Sequence, residues 1–463
     1  MHIKKYDYDY SRRVFLDKVA KGAGAGVLAP LWPMIGNTAD ISKAYPDELL
    51  HIEAYTKGKI KPGDQISSNN VDVVKELLDP ICYVQIKEMG RKIWIKDSNR
   101  DVTKMFNSRY LELTLKNAGR AKFGPDGNLW TDGKEGNIWI GGMPFPDPKT
   151  AAECCADIST SWGRHDYSQY AIPIWALGPD GNLSYRYDLV WFELQTTGRN
   201  DGKVLLGRKD LLRLNTALFA SPQEQAGASF LSTWYYDQRK FPDLYGYLPQ
   251  FRRVRQFPTN QRFEPLVPGI NLFLSDAWGA GDPMLTWGNF KIVGRQPMLG
   301  ACSGSHNWYG GKDPEWHAPF HGGAKGATFT EKTFELIPEA IVWDSEPVGY
   351  PRAPVGLRKT YTDARNGTMI TQISYDRRGK LYKQTEFATG QLKNDKAEVL
   401  DAQGHPDWSW NCAQFHDIQT NRMTHIRLAR SCAGGYKSEF SDAGQDVYNK
   451  FCTNSALQRL GTV

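Results

Sequence analysis

From residue 120 onward, apolar and polar residues alternate in short runs broken by Gly, Pro, Asn and Asp, the period of two that marks strands. The runs predict strands over 172–177, 183–194, 211–219, 228–236, 245–248 and 251–255. Further runs over 289–293, 334–343, 369–375, 380–387 and 425–428 extend the set. Gly124-Pro125-Asp126-Gly127-Asn128 and Gly178-Pro179-Asp180-Gly181-Asn182 are one turn written twice, each followed by Leu, and the second joins the first two strands. Asp376-Arg377-Arg378-Gly379 reads as a hairpin turn, with glycine at its left-handed position. One helix interrupts this texture. After Pro148, Thr150 and Glu153 have the spacing of a capping box. Before residue 120 the pattern is mixed: a short helix over 71–78 capped by Asn70 and stopped by Pro80, a strand over 92–96, and helical spacing over 102–118. Many strands and few helices imply a mainly β (α+β) chain built on a large, curled antiparallel sheet, whose concave face must be filled or covered.

The first residues carry a different signal. Ser11-Arg12-Arg13-Val14-Phe15-Leu16 sets an arginine pair before Phe-Leu, the form of the bacterial twin-arginine export signal. The weakly apolar stretch over 19–35 is broken by Lys21, Pro30 and Pro33, too interrupted to span a bilayer, which takes about 20 consecutive apolar residues. Ser42-Lys43-Ala44 supplies a small-residue cleavage site. Residues 1–44 are therefore read as a signal peptide, with Arg12 and Arg13 its recognised pair, and the mature protein as periplasmic. An exposed basic terminus would explain the arginines alone, but not Phe15-Leu16 and the Gly/Ala stretch behind them. Within that stretch Gly24-Ala25-Gly26-Val27-Leu28-Ala29 matches a dinucleotide fingerprint. The fingerprint needs a buried strand before its first glycine, and residues 17–21 do not make one, so no nucleotide site is read.

Composition narrows the classes. Without residues 1–44 the chain keeps 50 Lys and Arg against 47 Asp and Glu, and the net charge falls from +6 to +3. A near-neutral chain without charge blocks has no footprint for nucleic acid. Fifteen Trp, 22 Tyr and 20 Phe make it aromatic-rich, which suits pleated strands and apolar clefts alike. The seven cysteines show no C-x-x-C and no paired zinc spacing. In an oxidising compartment Cys432 and Cys452 are the most local candidates for a disulfide, apart from the adjacent Cys154 and Cys155, which read as buried small residues on a helix.

Three segments carry a family resemblance. They are Trp139-Ile140-Gly141-Gly142-Met143-Pro144-Phe145-Pro146, Tyr245-Gly246-Tyr247-Leu248-Pro249-Gln250-Phe251-Arg252-Arg253-Val254-Arg255, and Ile373-Ser374-Tyr375-Asp376-Arg377-Arg378-Gly379-Lys380-Leu381-Tyr382-Lys383. In order and spacing the chain resembles the bacterial domain-of-unknown-function family 1329, itself similar to periplasmic outer-membrane lipoprotein-sorting proteins, over roughly residues 120–455. The resemblance implies an unclosed β-barrel wrapped around helices, with an apolar cavity that shelters acyl chains. It also implies work beside an RND-type exporter and an outer-membrane protein. On this reading residues 45–119 form a mixed N-terminal segment and 120–463 a lipoprotein-sorting-like β domain. The chain departs from the family in its twin-arginine signal, in the His-containing insert at 302–323, and in having no lipobox cysteine, so no acyl anchor is expected.

The expected function is a non-enzymatic carrier or chaperone for a hydrophobic, lipid-like ligand, with no cofactor. The rival is a periplasmic enzyme or metalloprotein that acquires its cofactor before export. His306, Glu315, His317 and His321 gather in the insert, but Pro319 lies between the last two and glycines flank them. They do not share a helical face as H-E-x-x-H ligands must, and no metal site is assigned. No G-x-S-x-G elbow or Walker loop is present. Trp234, Tyr236, Trp278 and Trp287 are the candidate cavity walls, against the plainer reading that they fill a core. Alternation puts Trp234 and Tyr236 on one face and Tyr235 on the other. Arg253 and Arg255 are candidate headgroup contacts through their guanidinium forks, against an ordinary solvated strand face.

Overall fold

Pro80 begins a helix instead of ending one. In the computed structural model Asp79 accepts hydrogen bonds from the backbone amides of Ile81 and Cys82 at 2.9 Å each, and Pro80 occupies the first helical turn, where its missing N–H costs nothing. The structure describes residues 41, 45–161, 164–259, 262–265, 267–276, 281–302, 308, 328–329, 332–393, 398–401, 404–441 and 445–461. Arg12, Arg13, Trp278 and, apart from Cys302 and Trp308, the His-containing insert lie outside them.

In chain order the described elements open with helices α1 (Asp47–Leu50) and α2 (Ile52–Tyr55), strand β1 (Gln65–Ile66), a 3-10 turn over Val71–Leu77, and α3 (Pro80–Lys87). Strand β2 (Ile93–Lys96) and helix α4 (Ser108–Lys116) follow, then the hairpin β3 (Ala121–Phe123) and β4 (Leu129–Thr131), and helix α5 (Ala151–Ser161). The strands then run as β5 (Tyr167–Leu177), β6 (Leu183–Gln195), β7 (Leu211–Ser221), β8 (Ser229–Tyr235), β9 (Asp243–Leu248) and β10 (Arg253–Phe257). After a long connection come β11 (Gly288–Cys302), β12 (Lys332–Glu346), β13 (Val355–Asp363), β14 (Met369–Asp376), β15 (Leu381–Gln391), β16 (Trp408–Asp417) and β17 (Arg422–Arg427). Strand β18 (Glu439–Ser441) and helices α6 (Gln445–Phe451) and α7 (Asn454–Leu460) complete the chain.

Both duplicated turns are hairpins, closing β3 on β4 and β5 on β6, and Gly379 takes its left-handed place at φ +76 between β14 and β15. The capping box before α5 is reciprocal. The Glu153 amide donates to Thr150 Oγ1 at 3.2 Å and the Thr150 amide to Glu153 Oε2 at 3.0 Å, worth about 1 kcal/mol at the cap. The helical spacing over 102–118 is split in two, because Asn107 leaves the helix to cap α4 through the Tyr110 amide.

Sixteen strands join one sheet among the described residues, in the order β1-β2-β12-β13-β14-β15-β16-β17-β5-β6-β7-β8-β9-β10, with β11 on β12 and β18 on β5. Pairing is antiparallel except between β2 and β12 and at the end of β11 beside β15. The sheet is not closed: β1 and β10 are its ends. One apolar cluster takes Trp343 from β12, Phe387 from β15, Phe415 from β16, Ile174 from β5, Trp191 from β6, Phe219 from β7 and Leu244 from β9. Side chains from strands so far apart in the order meet only where the sheet curls around them, and Cys154 and Ile158 of α5 pack into the same cluster. The alternate residues of β6, Val190, Phe192 and Leu194, face outward beneath Val447, Cys452 and Leu457 of the C-terminal segment. At the other end Val74, Leu77, Cys82 and Ile86 cover Leu299, Phe334, Ala388 and Cys412. Residues 52–95 thus cover the convex face and add two strands to the sheet.

Cys432 and Cys452 do not form a disulfide; both are free thiols. Cys432 Sγ turns to the Ala433 carbonyl at 3.7 Å, and Cys452 bonds the Thr216 side chain instead. Burial pushes each thiol up to about 12, far from the reactive thiolate range.

Candidate functional site: two cavities on the concave face

Period-two geometry decides what the concave face offers. On β5 the even residues, on β6 and β7 the odd ones, point inward. Ile172, Ile174, Leu189, Trp191 and Phe219 therefore converge with Ile426 of β17 around a cavity. Its roof is Ile270, Leu272, Phe273 and Leu274, from the connection between β10 and β11. Its lining side chains are all hydrocarbon or aromatic, so it offers no group that could fix a polar substrate.

Charge pins that roof. Arg358 donates to the Ser275 carbonyl at 3.0 Å, to Ser275 Oγ at 2.8 Å and to Asp276 Oδ1 at 3.1 Å. Lys383 bonds Asp276 and the Asn271 carbonyl, and Arg262 Nε donates to Asp282 Oδ1 at 2.5 Å. Burial alone would raise the Asp282 carboxyl, but Arg262 and Arg358 outweigh it and hold it below the ordinary range. Trp287 belongs to this anchor. Its Nε1 donates to Asp282 Oδ2 at 2.9 Å and the Arg358 guanidinium lies 4.2 Å over its ring, so it braces the roof and lines neither cavity.

The second and larger cavity opens between α5, the start of β14, and strands β5, β15 and β16. Ile158, Met369, Phe387 and Trp410 give it an apolar side. The rest of the wall is polar: Asp157, Arg164, Thr368, Thr389 and Ser409, with Tyr170 and Trp408 between. Arg164, at φ +55, stacks its guanidinium 4.7 Å over Trp408, 5.1 Å over Tyr110 and 5.5 Å over Phe106, and donates to the Asn366 carbonyl at 2.8 Å. Behind Trp408, Asn107 Nδ2 donates to Asp407 Oδ1 at 3.1 Å, and His165 Nε2 lies 3.4 Å from the same oxygen. Burial pushes Asp157 well above the usual carboxylate range, although it accepts the Phe145 amide at 2.7 Å.

Trp234 and Tyr236 share one face, as alternation predicts, in a cluster with Leu212, Trp130 and Ile138, while Tyr235 packs on the opposite side. Neither residue lines either of these two cavities. Arg213 covers the Trp234 ring at 4.5 Å and its Nη1 reaches the Ser159 carbonyl at 2.7 Å near the end of α5. Tyr236 Oη donates to the Leu129 carbonyl and accepts the Trp139 amide, both at 2.7 Å. Arg253 and Arg255 are exposed on the edge strand β10, with Arg255 stacked 4.5 Å over Phe251.

One further cluster sits on the convex face. Asp79, Cys82 and Glu386 bring three metal-ligating groups within 4.8 Å of one another. Their atoms are already engaged. Arg91 holds Glu386 with two hydrogen bonds of 2.6 and 2.8 Å, and Lys332 adds a third at 2.7 Å. Asp79 caps α3 and accepts Gln384 Nε2 at 2.8 Å, while burial pushes the Cys82 thiol far up. Two buried cations beside one carboxylate oppose a metal ion, and the cluster reads as an ion-paired brace.

The sequence model of the family described as "Protein of unknown function (DUF1329)" matches residues 65–458. No curated relative matches the chain. Three crystal structures show a distant likeness. A domain assigned to outer-membrane lipoprotein sorting from Vibrio parahaemolyticus is 14% identical, covers 67% of this chain and 97% of its own, and has a TM-score of 0.43. A DUF1329 family protein from Desulfovibrio piger is 11% identical, covers 66% and 97%, and has the same TM-score of 0.43. A LolA superfamily protein from Nitrosomonas europaea is 12% identical, covers 66% and 100%, and has a TM-score of 0.34.

Proposed function

The chain belongs to the DUF1329 family, and we propose that it is a periplasmic carrier or chaperone that holds a hydrophobic, lipid-like ligand on the concave face of its sheet. The observation that supports this most is the wholly apolar cavity under the pinned roof. Each methylene a ligand buries there gains ~0.8 kcal/mol, before the cost of association. No part of that energy needs a polar contact. On this reading the partners are an RND-type exporter and an outer-membrane protein that pass the ligand on.

Titration with the neutral fluorophore N-phenyl-1-naphthylamine tests the reading. The protein is expected to bind it, and Ile174→Glu, which puts a carboxylate into the apolar wall, to weaken binding by at least about tenfold. Native mass spectrometry of protein taken from the periplasm should show an acyl or polycyclic passenger. Stoichiometric metal or a chromophore in its place would favour a cofactor-bearing enzyme.

We also propose export by the twin-arginine route, which carries proteins already folded. The receptor reads the guanidinium pair and not charge alone. Arg12→Lys together with Arg13→Lys is therefore expected to abolish periplasmic accumulation in cell fractions. Undiminished accumulation of that double variant would remove the twin-arginine assignment.

A further inference from the structure

The cavity beside α5 differs from its neighbour in having a polar end, and that end is built to meet an anion. We infer that this larger cavity receives an amphiphile with a single anionic head, a carboxylate or a phosphate, seated at Arg164 with its tail over Ile158, Met369 and Phe387. The inference rests on the carrier reading above and names its ligand class.

Three observations carry it. The Arg164 guanidinium is held flat against three aromatic rings, which fixes its plane and places a cation in the cavity wall. Two donors share that wall with it. Thr389 is 5% exposed and Trp408 is 4% exposed, and neither Thr389 Oγ1 nor Trp408 Nε1 has a hydrogen-bond partner among the described residues. Buried donors are normally satisfied, and two unsatisfied ones in a single wall mark a place where an acceptor belongs. The opposite side of the cavity is apolar, so head and tail are separated along its length.

The charges facing the site agree with this polarity. Arg164 and Asp157 are the groups at the wall that can carry charge at neutral pH, and Tyr170, pushed up by burial, stays a neutral phenol. Burial drives Asp157 toward its protonated form, in which it donates a hydrogen bond instead of repelling an anion. Arg164 is then the charge that a ligand meets.

The test compares a fluorescent fatty acid, 16-(9-anthroyloxy)palmitate, with its methyl ester, which keeps the tail and loses the charge. The protein should bind the acid about tenfold more tightly than the ester, as expected where a hydrogen-bonded charge pair adds to tail burial. Arg164→Gln should bring the two within about twofold by weakening only the acid. Because Arg164 also packs on three rings, two variants remove one donor each: Thr389→Val, which preserves shape, and Trp408→Phe, which keeps an aromatic ring beneath the guanidinium. Each should weaken the acid severalfold and leave the ester unchanged. Displacement of the acid probe by palmitate or by lysophosphatidate supports the inference, and the stronger competitor identifies the head. Equal affinity for acid and ester in the unaltered protein, or a ratio that none of the three variants moves, overturns the head assignment while leaving the carrier reading intact. If neither probe binds, both fall.

Discussion

Glu386→Ala is expected to lower stability by about 3–5 kcal/mol, read as a shift of the urea unfolding midpoint, because it strands two buried cations. Arg91, Lys332 and Glu386 are all buried, and each hydrogen bond among them is between 2.6 and 2.8 Å. Burial alone would raise the Glu386 carboxyl, but Arg91 and then Lys332 overcome it and hold it at about 2 against an ordinary 4.5. A folded value below the unfolded one contributes stability that is complete above pH 4.5 and is lost as the pH falls through about 2. The size of that loss is about 3 kcal/mol. Two neighbours act at higher pH and against each other. His416, lowered by burial to about 4, costs stability as the pH falls below 6.5; Asp79, raised by burial to about 6, costs stability as the pH rises through 6. Glu386 therefore contributes to the acid limb between pH 4.5 and 2, alongside other lowered carboxyls such as Asp282 and Asp237, and that limb should be shallower in Glu386→Ala. Exchanging all three ions for Met, Met and Leu should recover most of the stability, since well-packed apolar groups replace buried ion sets at little cost. A triple variant as unstable as the single one would locate the effect elsewhere.

Gly142→Ala is the second large effect, with an expected loss of about 2–5 kcal/mol. Gly142 lies at φ +78, and a Cβ there would stand 2.4 Å from Thr114 N, 2.6 Å from Leu113 C and 2.8 Å from Thr114 Cα. Those are backbone atoms of α4, which cannot rotate aside. The left-handed position costs about 1–2 kcal/mol for a residue with a Cβ, and forced overpacking adds about 1–3 kcal/mol. Gly136→Ala is the control, since Gly136 has φ +84 and an added Cβ would meet no atom within 4 Å. It should show the backbone part alone, near 1–2 kcal/mol. Equal losses in the two variants would mean that α4 does not press on Gly142. The contact accounts for the Gly-Gly pair within the Trp139–Pro146 segment. Trp139 Nε1 donates to the Gly142 carbonyl at 2.7 Å, the Met143 amide to Thr114 Oγ1 at 2.8 Å, and the Phe145 amide to Asp157 at 2.7 Å. The segment ties α4 to α5 beside the larger cavity.

Strands with one face toward the apolar concave cluster were legible because their alternation survives. The duplicated Pro-Asp-Gly turns and the capping box at Thr150 were legible because their chemistry is local. Strand β16 was not. Its residues Trp408, Ser409, Trp410, Asn411, Cys412, Ala413, Gln414, Phe415 and His416 are all buried, since the N-terminal segment covers its convex side. Gln414 and His416 lie on that side among polar partners from α3, so polar residues no longer signal solvent. Strand β13 was missed as well, with Thr360, Thr362 and Asp363 buried along it. The cavity walls escaped for another reason. Arg164 meets Trp408 across 244 positions of chain, and no local spacing announces such a pair. Trp234 and Trp287 drew attention as large aromatics, yet arginines lie over both rings and hold them in packing roles.

A closed barrel has a bore set by strand number and shear, and it can widen only by breaking a ladder. The sheet here ends at β1 on one side and β10 on the other. Its curvature therefore follows from the twist between neighbouring strands, a soft variable that spreads small rotations over many pairings. On the carrier reading proposed above, such a sheet is expected to act as a spring clip and not as a ring. Passengers of different girth would then be gripped by the same residues, with the lateral gap taking up the difference.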